Sequence, residues 1–306
     1  MYKRLELHNH TVESDGNLMP SELVELMYND KVDAFALTDH NTISGHQKIQ
    51  DALTEKKLPI SCIYGMEYTT YYGHILCLNL KEYISWENIN LHKPELLFKA
   101  VKEKGALAGI AHPFSCGYPI GSCRFAMTFT DYSYLDFIEI FNNPEPLHEV
   151  NEKGLLWWES LILQGHHIAC TSGMDLHRKD SMHGQFSTFI KGHKNGDIVN
   201  ELKEAIHNQQ TWISKGPLLI IEKNDLDKHL MVSIEDTNKP GYQEDTRPYL
   251  LSLRTKKETL CFPLHHKVPL CIPYLYLNNA SILIPKLYKE HLTLENLVAV
   301  APVVYL

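Results

Sequence analysis

Short apolar segments alternate with segments of helical periodicity over the first two thirds of the chain. The segment Pro20–Asn29 has apolar residues at helical spacing and a proline in the position favoured for a first helical turn. The runs Ala34–Thr38 and Leu107–Ala111 are typical of strands buried on both faces. Strands that alternate with helices predict a mainly parallel sheet, and about seven such units favour a closed or nearly closed β/α barrel over an open sheet.

The pattern changes at Gly216. Beyond it, short β-like runs are separated by Gly, Pro, Asn and Asp, and helix-length periodic segments give way to strand-length ones. The chain is therefore predicted to be an α/β protein with a barrel over residues 1–215 and a small antiparallel β appendage over residues 216–306.

Composition and charge narrow the class of protein. The 306 residues are 44% hydrophobic and 22% charged, and the net charge is −8. These values are typical of a globular protein, and the negative net charge does not suggest the basic surface of a nucleic-acid-binding domain. The N-terminus has no apolar signal segment, and apolar runs of about 18 residues are missing, so we expect no membrane association and a cytoplasmic location.

Histidines and carboxylates cluster where the predicted strands end. His8 and His10 follow the first predicted strand, and residues two apart on an extended backbone share a face. In β/α barrels the site is built at the C-terminal ends of the strands. The residues with this placement are His8, His10, Asp15, His40, Glu67, His74, His112, Asp175 and His177.

Six imidazoles and three carboxylates form a donor set suited to Mn, Fe or Zn. At roughly three or four protein ligands per catalytic ion, the set serves two to three divalent ions. A carboxylate such as Glu67 can bridge two of them. We therefore expect two to three divalent metal ions as cofactors.

The order of these motifs resembles the PHP (polymerase and histidinol phosphatase) family. The motifs are H-x-H-T-x-x-S-D-G from His8, then L-T-D-H-N-T, G-x-E, G-H-I-L, A-H-P and finally D-x-H from Asp175. The resemblance covers residues 1–215. The segment Glu204–Leu218 is in addition similar to a motif of the CehA/McbA-like branch of that family.

The resemblance implies a distorted (β/α)7 barrel of the PHP type and a distribution of its ligands over three ions. The first ion would be held by His8, His10, Glu67 and Asp175. The second would be held by Glu67, His74 and His112, and the third by Asp15, His40 and His177.

Such a centre suits hydrolysis of a small phosphate mono- or diester by a metal-activated hydroxide. Arg124 and Arg178 are candidates for holding a phosphate, because a guanidinium matches phosphate oxygens in a bidentate manner. His177 or Asp15 would donate a proton to the leaving alkoxide if the third ion is absent.

Two alternatives to phosphate ester hydrolysis stay open at this point. The same metals would support hydrolysis of a carbamate or another non-phosphate ester. A catalytically silent regulatory module is the other alternative, and the complete ligand set disfavours it. The expected partner is a small-molecule phosphate ester, with nucleic acid limited to nucleotides or short oligonucleotides, and the oligomeric state is open.

Overall fold

The computed structural model describes residues 1–115, 125–142, 149–237 and 247–306. Its helices are α1 Pro20–Asn29, α2 Gly45–Lys56, α3 Glu95–Glu103, α4 Glu149–Leu163 and α5 Ile198–His207. The strands of the first two thirds are β1 Tyr2–Glu6, β2 Ala34–Leu37, β3 Ser61–Thr70, β4 Gly73–Leu78, β5 Leu107–Ile110, β6 Phe137–Asn142, β7 Ala169–Gly173, β8 Ser187–Lys191 and β9 Thr211–Ser214.

The remaining strands are β10 Leu218–Asn224, β11 His229–Glu235, β12 Tyr249–Arg254, β13 Thr259–Leu264, β14 Leu270–Pro273, β15 Ile282–Lys289, β16 Leu297–Val300 and β17 Val304–Tyr305. Short 3₁₀ turns lie at Tyr274–Leu277 and Leu294–Asn296. The bounds predicted from the sequence for α1 agree with the structure. The strands β8, β9 and β13 lie where the sequence pattern predicted no strand.

One large mixed sheet dominates the molecule. Its hydrogen-bonded order is β13-β12-β15-β16-β9-β8-β1-β2-β3-β4-β5-β6-β7, and β17 pairs with β15. The pairs β1–β2, β2–β3, β5–β6 and β6–β7 are parallel. The pairs β3–β4, β4–β5, β1–β8 and β8–β9 are antiparallel. The fold is thus mixed α/β, with a sheet less uniformly parallel than the sequence pattern indicated.

The hairpin β3–β4 explains part of this difference. Only Tyr71 and Tyr72 separate the two strands. A parallel crossover needs a dozen or more residues, whereas two are enough for an antiparallel hairpin. The chain therefore reverses here instead of inserting a helix.

The two ends of the predicted barrel approach each other without forming a ladder in the described part of the chain. The Ser172 N–H of β7 donates to Thr188 Oγ1 of β8 at 2.9 Å. The Thr211 hydroxyl of β9 donates to the Cys170 carbonyl of β7 at 2.7 Å. Side-chain hydrogen bonds thus link β7 to β8 and β9, and a closed (β/α)7 barrel stays a prediction.

Strands from both sides of this junction share one apolar core. Leu5 from β1, Phe137 from β6 and Ile190 from β8 are buried in a single cluster that α5 covers with Leu202 and Ile206. A second cluster packs α1 and α2 against β2. These two clusters hold the end of β1 and its neighbour β2 in place.

The C-terminal strands continue the large sheet through β16, which pairs with β9. The strands β10, β11 and β14 form a separate three-stranded sheet. The rings of Phe189 and Trp212, from β8 and β9, are buried in the apolar cluster of the C-terminal strands. A domain boundary at residue 216 stays a prediction. Within the described ranges, every helix is too short or too polar to span a bilayer.

Candidate metal centre

The centre begins at the end of β1, where His8 and His10 are fully buried. Between them, the Asn9 side chain donates to the Ala36 carbonyl at 2.8 Å, and the Asn9 N–H donates to Thr38 Oγ1 at 3.0 Å. Asn9 is thus tied to β2. Because side chains alternate along an extended backbone, His8 and His10 share the other side.

Glu67 lies at the middle of the cluster, within β3 rather than after it. Its Oε1 atom lies 2.9 Å from His74 Nδ1 and 3.1 Å from His112 Nε2. Its Oε2 atom lies within 3.3 Å of three other ring nitrogens, those of His8, His10 and His40. The hairpin β3–β4 contributes to this geometry, since it places His74 opposite Thr69 and so beside Glu67.

Asp175 closes the cluster from the loop after β7. Its Oδ1 atom lies 3.0 Å from His10 Nε2 and 3.4 Å from His8 Nε2. Both Asp175 and His112 have positive φ, 48° and 26° respectively. Non-glycine residues rarely adopt this backbone conformation, and it persists only where surrounding contacts impose it.

A more open group of ligands lies at the outer end of the cluster. Asp15 Oδ1 lies 3.2 Å from His177 Nε2 and 3.5 Å from His40 Nε2. The His10 ring packs against the rings of both His40 and His177, with centroids 4.2 and 4.3 Å away, and these two rings lie 5.7 Å from each other. The side chains of Asp15 and His177 are 59% and 35% exposed, so this end of the cluster faces solvent.

The outer end opens into a cavity of about 320 Å³, which Asp15, Asp175, His177 and Arg178 help to line. Arg178 is exposed there. Arg124, the other predicted phosphate-binding residue, lies outside the described residues.

The loop that carries Asp15 is held by a buried carboxylate. Asp39 Oδ1 accepts from the Thr11 N–H at 2.6 Å and from the Ser14 hydroxyl at 2.8 Å. His40 directly follows Asp39 in the chain. The Asp39 carboxylate therefore fixes the backbone beside two predicted ligands, Asp15 and His40.

The donor set fits divalent cations. Several buried polar atoms of the cluster have no hydrogen-bond partner among the described residues: His8 Nε2, both ring nitrogens of His10, His74 Nε2, Glu67 Oε2 and Asp175 Oδ1. Buried polar atoms are rarely left unsatisfied in proteins. A set of imidazole nitrogens and carboxylate oxygens that converge in this way is suited to Mn, Fe or Zn.

The electrostatics of the metal-free cluster agree with that fit. Burial lowers the pKa of His8, but Glu139, Glu67 and Asp175 outweigh burial and raise that pKa well above its ordinary value. Burial likewise raises the pKa of Glu67, yet the surrounding imidazoles hold it well below its ordinary value. Positive charge is therefore strongly favoured at this place, and protons supply it when no cation is present.

The structure brings all nine predicted metal ligands together. Four sets of side chains are close enough to hold an ion each: His8, His10, Glu67 and Asp175; His40, Glu67 and His74; His10, Asp15, His40 and His177; and His8, His112 and Glu139. The first set has the same members as the predicted first ion site. Occupancy of each set, and the roles of the predicted residues, stay predictions.

Sequence reasoning missed Glu139. It lies in β6 with 1% exposure, and its Oε1 atom lies 3.0 Å from His8 Nδ1. The signal was a charged residue inside the otherwise apolar run Phe137–Phe141. Charged residues in such a run are almost never fully buried unless they are paired.

Comparisons with known proteins agree with the fold and the motifs. Residues 6–111 match the family model of the PHP domain. A crystal structure from Bacteroides vulgatus, a two-domain protein described as containing a predicted PHP-like metal-dependent phosphoesterase, superposes with a TM-score of 0.57. The match covers 99% of this chain and 95% of that one at 14% sequence identity, so it supports the fold alone.

Curated relatives match shorter segments. A 5'-3' exoribonuclease of Haemophilus influenzae is 39% identical over 83 residues, which are 26% of this chain and 30% of that protein. An uncharacterized protein of Methanocaldococcus jannaschii is 29% identical over 150 residues, 45% of this chain and 81% of that protein. The match thus spans about a third of the exoribonuclease. Residues 6–111 are thus similar to a PHP domain, and the CehA/McbA-like branch stays a prediction.

Proposed function

We propose that this protein is a metal-dependent phosphoesterase that hydrolyses a phosphate mono- or diester at a centre of two to three divalent ions. One observation carries the proposal. The two oxygens of Glu67 face different sets of imidazoles, His74 and His112 on one side and His8, His10 and His40 on the other. A carboxylate placed in this way suits a bridge between two ions, and paired ions are the usual arrangement for displacement at phosphorus.

The proposed ligands form two buried sets and one set at the solvent-exposed end of the cluster. His8, His10, Glu67 and Asp175 would hold the first ion, and Glu67, His74 and His112 the second. Asp15, His40 and His177 would hold a third ion at the exposed end. Mn, Fe and Zn suit all three sets, since each combines imidazole with carboxylate.

When bound, such ions lower the pKa of water and neutralise phosphate oxygens. The chain's own residues would orient the substrate beside them. Arg178 lines the cavity at the outer end, where its guanidinium would bind phosphate oxygens of an entering substrate. If the third ion is absent, His177, half-exposed beside Asp15, would donate a proton to the leaving alkoxide.

The substrate class is proposed from charge and from similarity. The net charge of −8 requires local positive charge for an anionic substrate, and the metal centre would provide it. Similarity to an exoribonuclease over a quarter of the chain adds short RNA to the small phosphate esters that we consider. The CehA/McbA-like branch and a cytoplasmic location remain predictions beside this proposal.

A substrate panel tests the proposal. Protein loaded with Mn²⁺, Fe²⁺ or Zn²⁺ is assayed with p-nitrophenyl phosphate, bis-p-nitrophenyl phosphate, nucleotides and short RNA, against aryl carbamates and acetates. We expect turnover of at least one phosphate ester that is lost with chelator and with Asp175→Ala. Turnover of carbamates alone would replace the proposed function with the alternative ester hydrolase.

A further inference from the structure

Resting on the proposed function, we propose that Glu139 is a positioning residue of the metal centre. It fixes the proton on one nitrogen of the His8 ring and holds the backbone of His112, so that both imidazoles present ligand nitrogens to the ions. Nothing in the motifs or in the family match, which ends at residue 111, includes this residue.

Glu139 reaches two proposed ligands at once. Its Oε1 atom lies 3.0 Å from His8 Nδ1. Its Oε2 atom accepts from the His112 N–H at 3.1 Å and from the Asn142 side-chain amide at 3.0 Å. Three donors thus surround a carboxylate that is 1% exposed.

The contact with His8 determines which ring nitrogen is free. A carboxylate only accepts, so the hydrogen bond places a proton on His8 Nδ1. The opposite nitrogen, Nε2, lies 3.3 Å from Glu67 Oε2 and 3.4 Å from Asp175 Oδ1 and makes no hydrogen bond within the described ranges. The lone pair of Nε2 is then available to a cation that lies between these two carboxylates. A carboxylate that accepts from the other ring nitrogen of a metal-ligating histidine acts in this way.

The contact with His112 supports a strained backbone. His112 has a φ of 26°, and a conformation of this kind costs on the order of 1–3 kcal/mol. The hydrogen bond from its N–H to a buried carboxylate is charge-assisted and therefore among the stronger kinds. Glu139 thereby helps to keep His112 Nε2 at 3.1 Å from Glu67 Oε1.

The sheet is adapted to bring Glu139 to this place. The pairing of β6 with β7 shifts register between Glu139 and Phe141, and such bulges re-aim side chains near sites. Gly173 on β7 leaves the necessary space. A Cβ atom there would lie 2.5 Å from His8 Cβ and 2.7 Å from Glu139 Oε1.

Glu139 is better placed to orient than to ligate. It lies at the Nδ1 side of His8, whereas Glu67 and Asp175 lie at the Nε2 side. Its oxygens are already engaged by a ring N–H, a backbone N–H and an amide. It therefore acts on the first ion through His8.

Metal affinity tests this inference independently of catalysis. Competition titration with a chromophoric chelator measures binding of Zn²⁺ to the parent and to Glu139→Gln. An amide keeps the size of the side chain but has one acceptor oxygen, so either His8 or His112 loses its partner. We expect one ion to bind about 10–100-fold more weakly, as for other residues behind a metal ligand. The visible spectrum of the Co²⁺-loaded variant should change as well.

Two further variants separate positioning from a structural or a direct ligand role. Glu159→Gln removes another buried glutamate, one paired with Lys286, and should leave Zn²⁺ affinity unchanged. In a His8→Ala background, the effect of Glu139→Gln on the first ion should fall below about threefold, because Glu139 acts on that ion through His8. If the glutamine variant does not fold, Glu139→Asp replaces it in the Zn²⁺ titration, because aspartate keeps the charge but has a shorter side chain.

The outcomes are distinct. Unchanged Zn²⁺ affinity in both Glu139 variants overturns the positioning role while leaving the proposed function intact. A full effect on the first ion that persists in the His8→Ala background makes Glu139 a direct ligand and also overturns it. A parent protein that binds no Zn²⁺, Mn²⁺ or Co²⁺ refutes the metal centre itself, and the proposed function with it.

Discussion

Single residues at the centre of this molecule have roles that depend on which atom faces which neighbour. Glu67 is the clearest case, because five imidazole rings lie within 3.3 Å of its two oxygens. All of these groups except His40 are completely or almost completely buried. Removing this one carboxylate would leave several nitrogens without their shared partner.

Replacement of Glu67 by glutamine should therefore release more than one ion. Loss of residues behind a metal ligand already costs about 10–100-fold in affinity or activity, so loss of a bridging ligand should cost at least about 100-fold in turnover. Elemental analysis of the purified variant measures the metal directly, with circular dichroism as the check on folding. Full metal content together with full turnover in Glu67→Gln would show that the carboxylate is not a bridge.

The metal-free protein should lose stability as the pH rises from 6.5 to 9. Burial lowers the pKa of His10, but the carboxylates of Asp175 and Glu67, at 3.0 and 3.3 Å from its Nε2 atom, raise that pKa to about 9. A raised pKa stabilises the fold fully below the ordinary value of His, 6.5, and this contribution is lost as pH rises through the folded value. Urea unfolding of chelator-treated protein should show a decrease of about 1–3 kcal/mol over this range.

The control for this pH dependence is His10→Gln, which should flatten the decrease. Asp15 adds a separate effect at low pH, because its hydrogen bond with His177 lowers its pKa to about 2. Its contribution is present above its ordinary pKa and lost as pH falls through 2. Metal-free protein that becomes more stable between pH 6.5 and 9 would contradict the assignment of protons to the imidazoles.

At the residue scale, the sequence led to the nine ligand candidates but not to Glu139. The candidates could be found because histidines and carboxylates beside predicted strands are unusual enough to stand out. Glu139 lies inside a strand among apolar neighbours, and its importance depends on a contact with His8, 131 residues away. Such a contact follows from sheet order and register, which periodicity does not reveal.

Among the elements, α4 and β15 are joined by a buried ion pair that lies apart from the metal centre. The Lys286 ammonium contacts the Glu159 carboxylate, and the residues are 7% and 4% exposed. Burial lowers the pKa of Lys286, but Glu159 outweighs it and raises that pKa above its ordinary value. The pair connects a helix of the first two thirds to a C-terminal strand.

Breaking this pair from one side should destabilise the fold without affecting metal binding. Lys286→Met leaves the Glu159 carboxylate buried and unpaired, which costs about 3–5 kcal/mol. Guanidinium unfolding measures the loss, and the double variant Lys286→Met/Glu159→Gln should recover much of it. A Lys286→Met protein with parental stability would mean that Glu159 is solvated after all.

Elements were predictable where they were long or bounded by distinctive residues. Pro20 and the spacing that follows it gave α1 its observed bounds. The apolar run Pro59–Tyr64 predicts a strand that ends before Gly65, which is shorter than the observed β3. In the structure Gly65 lies within β3, and a Cβ there would lie 2.4 Å from the Cys77 carbonyl of β4. The glycine permits a close approach of two backbones instead of a turn.

Across the whole molecule, the large sheet makes the C-terminal strands part of the same structure as the metal centre. Ala299 and Val300 of β16 pair with Ser214 and Ile213 of β9. The Trp212 indole N–H donates to the Leu219 carbonyl at 2.9 Å, across residue 216. The mixed α/β class was predictable from periodicity, but this continuity was not, because pairing between distant strands has no local signal.

A chain that ends at residue 215 should consequently fail to reach the native state. It would lose the strand that pairs with β9 and would expose the buried rings of Phe189 and Trp212. Each large buried side chain contributes about 1.5–3 kcal/mol, comparable to much of a domain's net stability. Near-ultraviolet circular dichroism should show lost tertiary structure, and co-expression of residues 216–306 should restore it. Cooperative unfolding of the short chain alone would make residues 1–215 an independent domain.

The strand order also determines when, during synthesis of the chain, each strand and each metal ligand meets its partners. β1, which precedes His8 and His10, leaves the ribosome well before its antiparallel neighbour β8. Glu139 follows His8 by 131 residues, a delay on the order of ten seconds at roughly 5–20 residues per second. During that interval the first two histidines have emerged without the partners that orient them. Chains stalled before β7 has emerged lack Asp175 and should therefore not retain the first ion, so loading of that site follows the synthesis of β7.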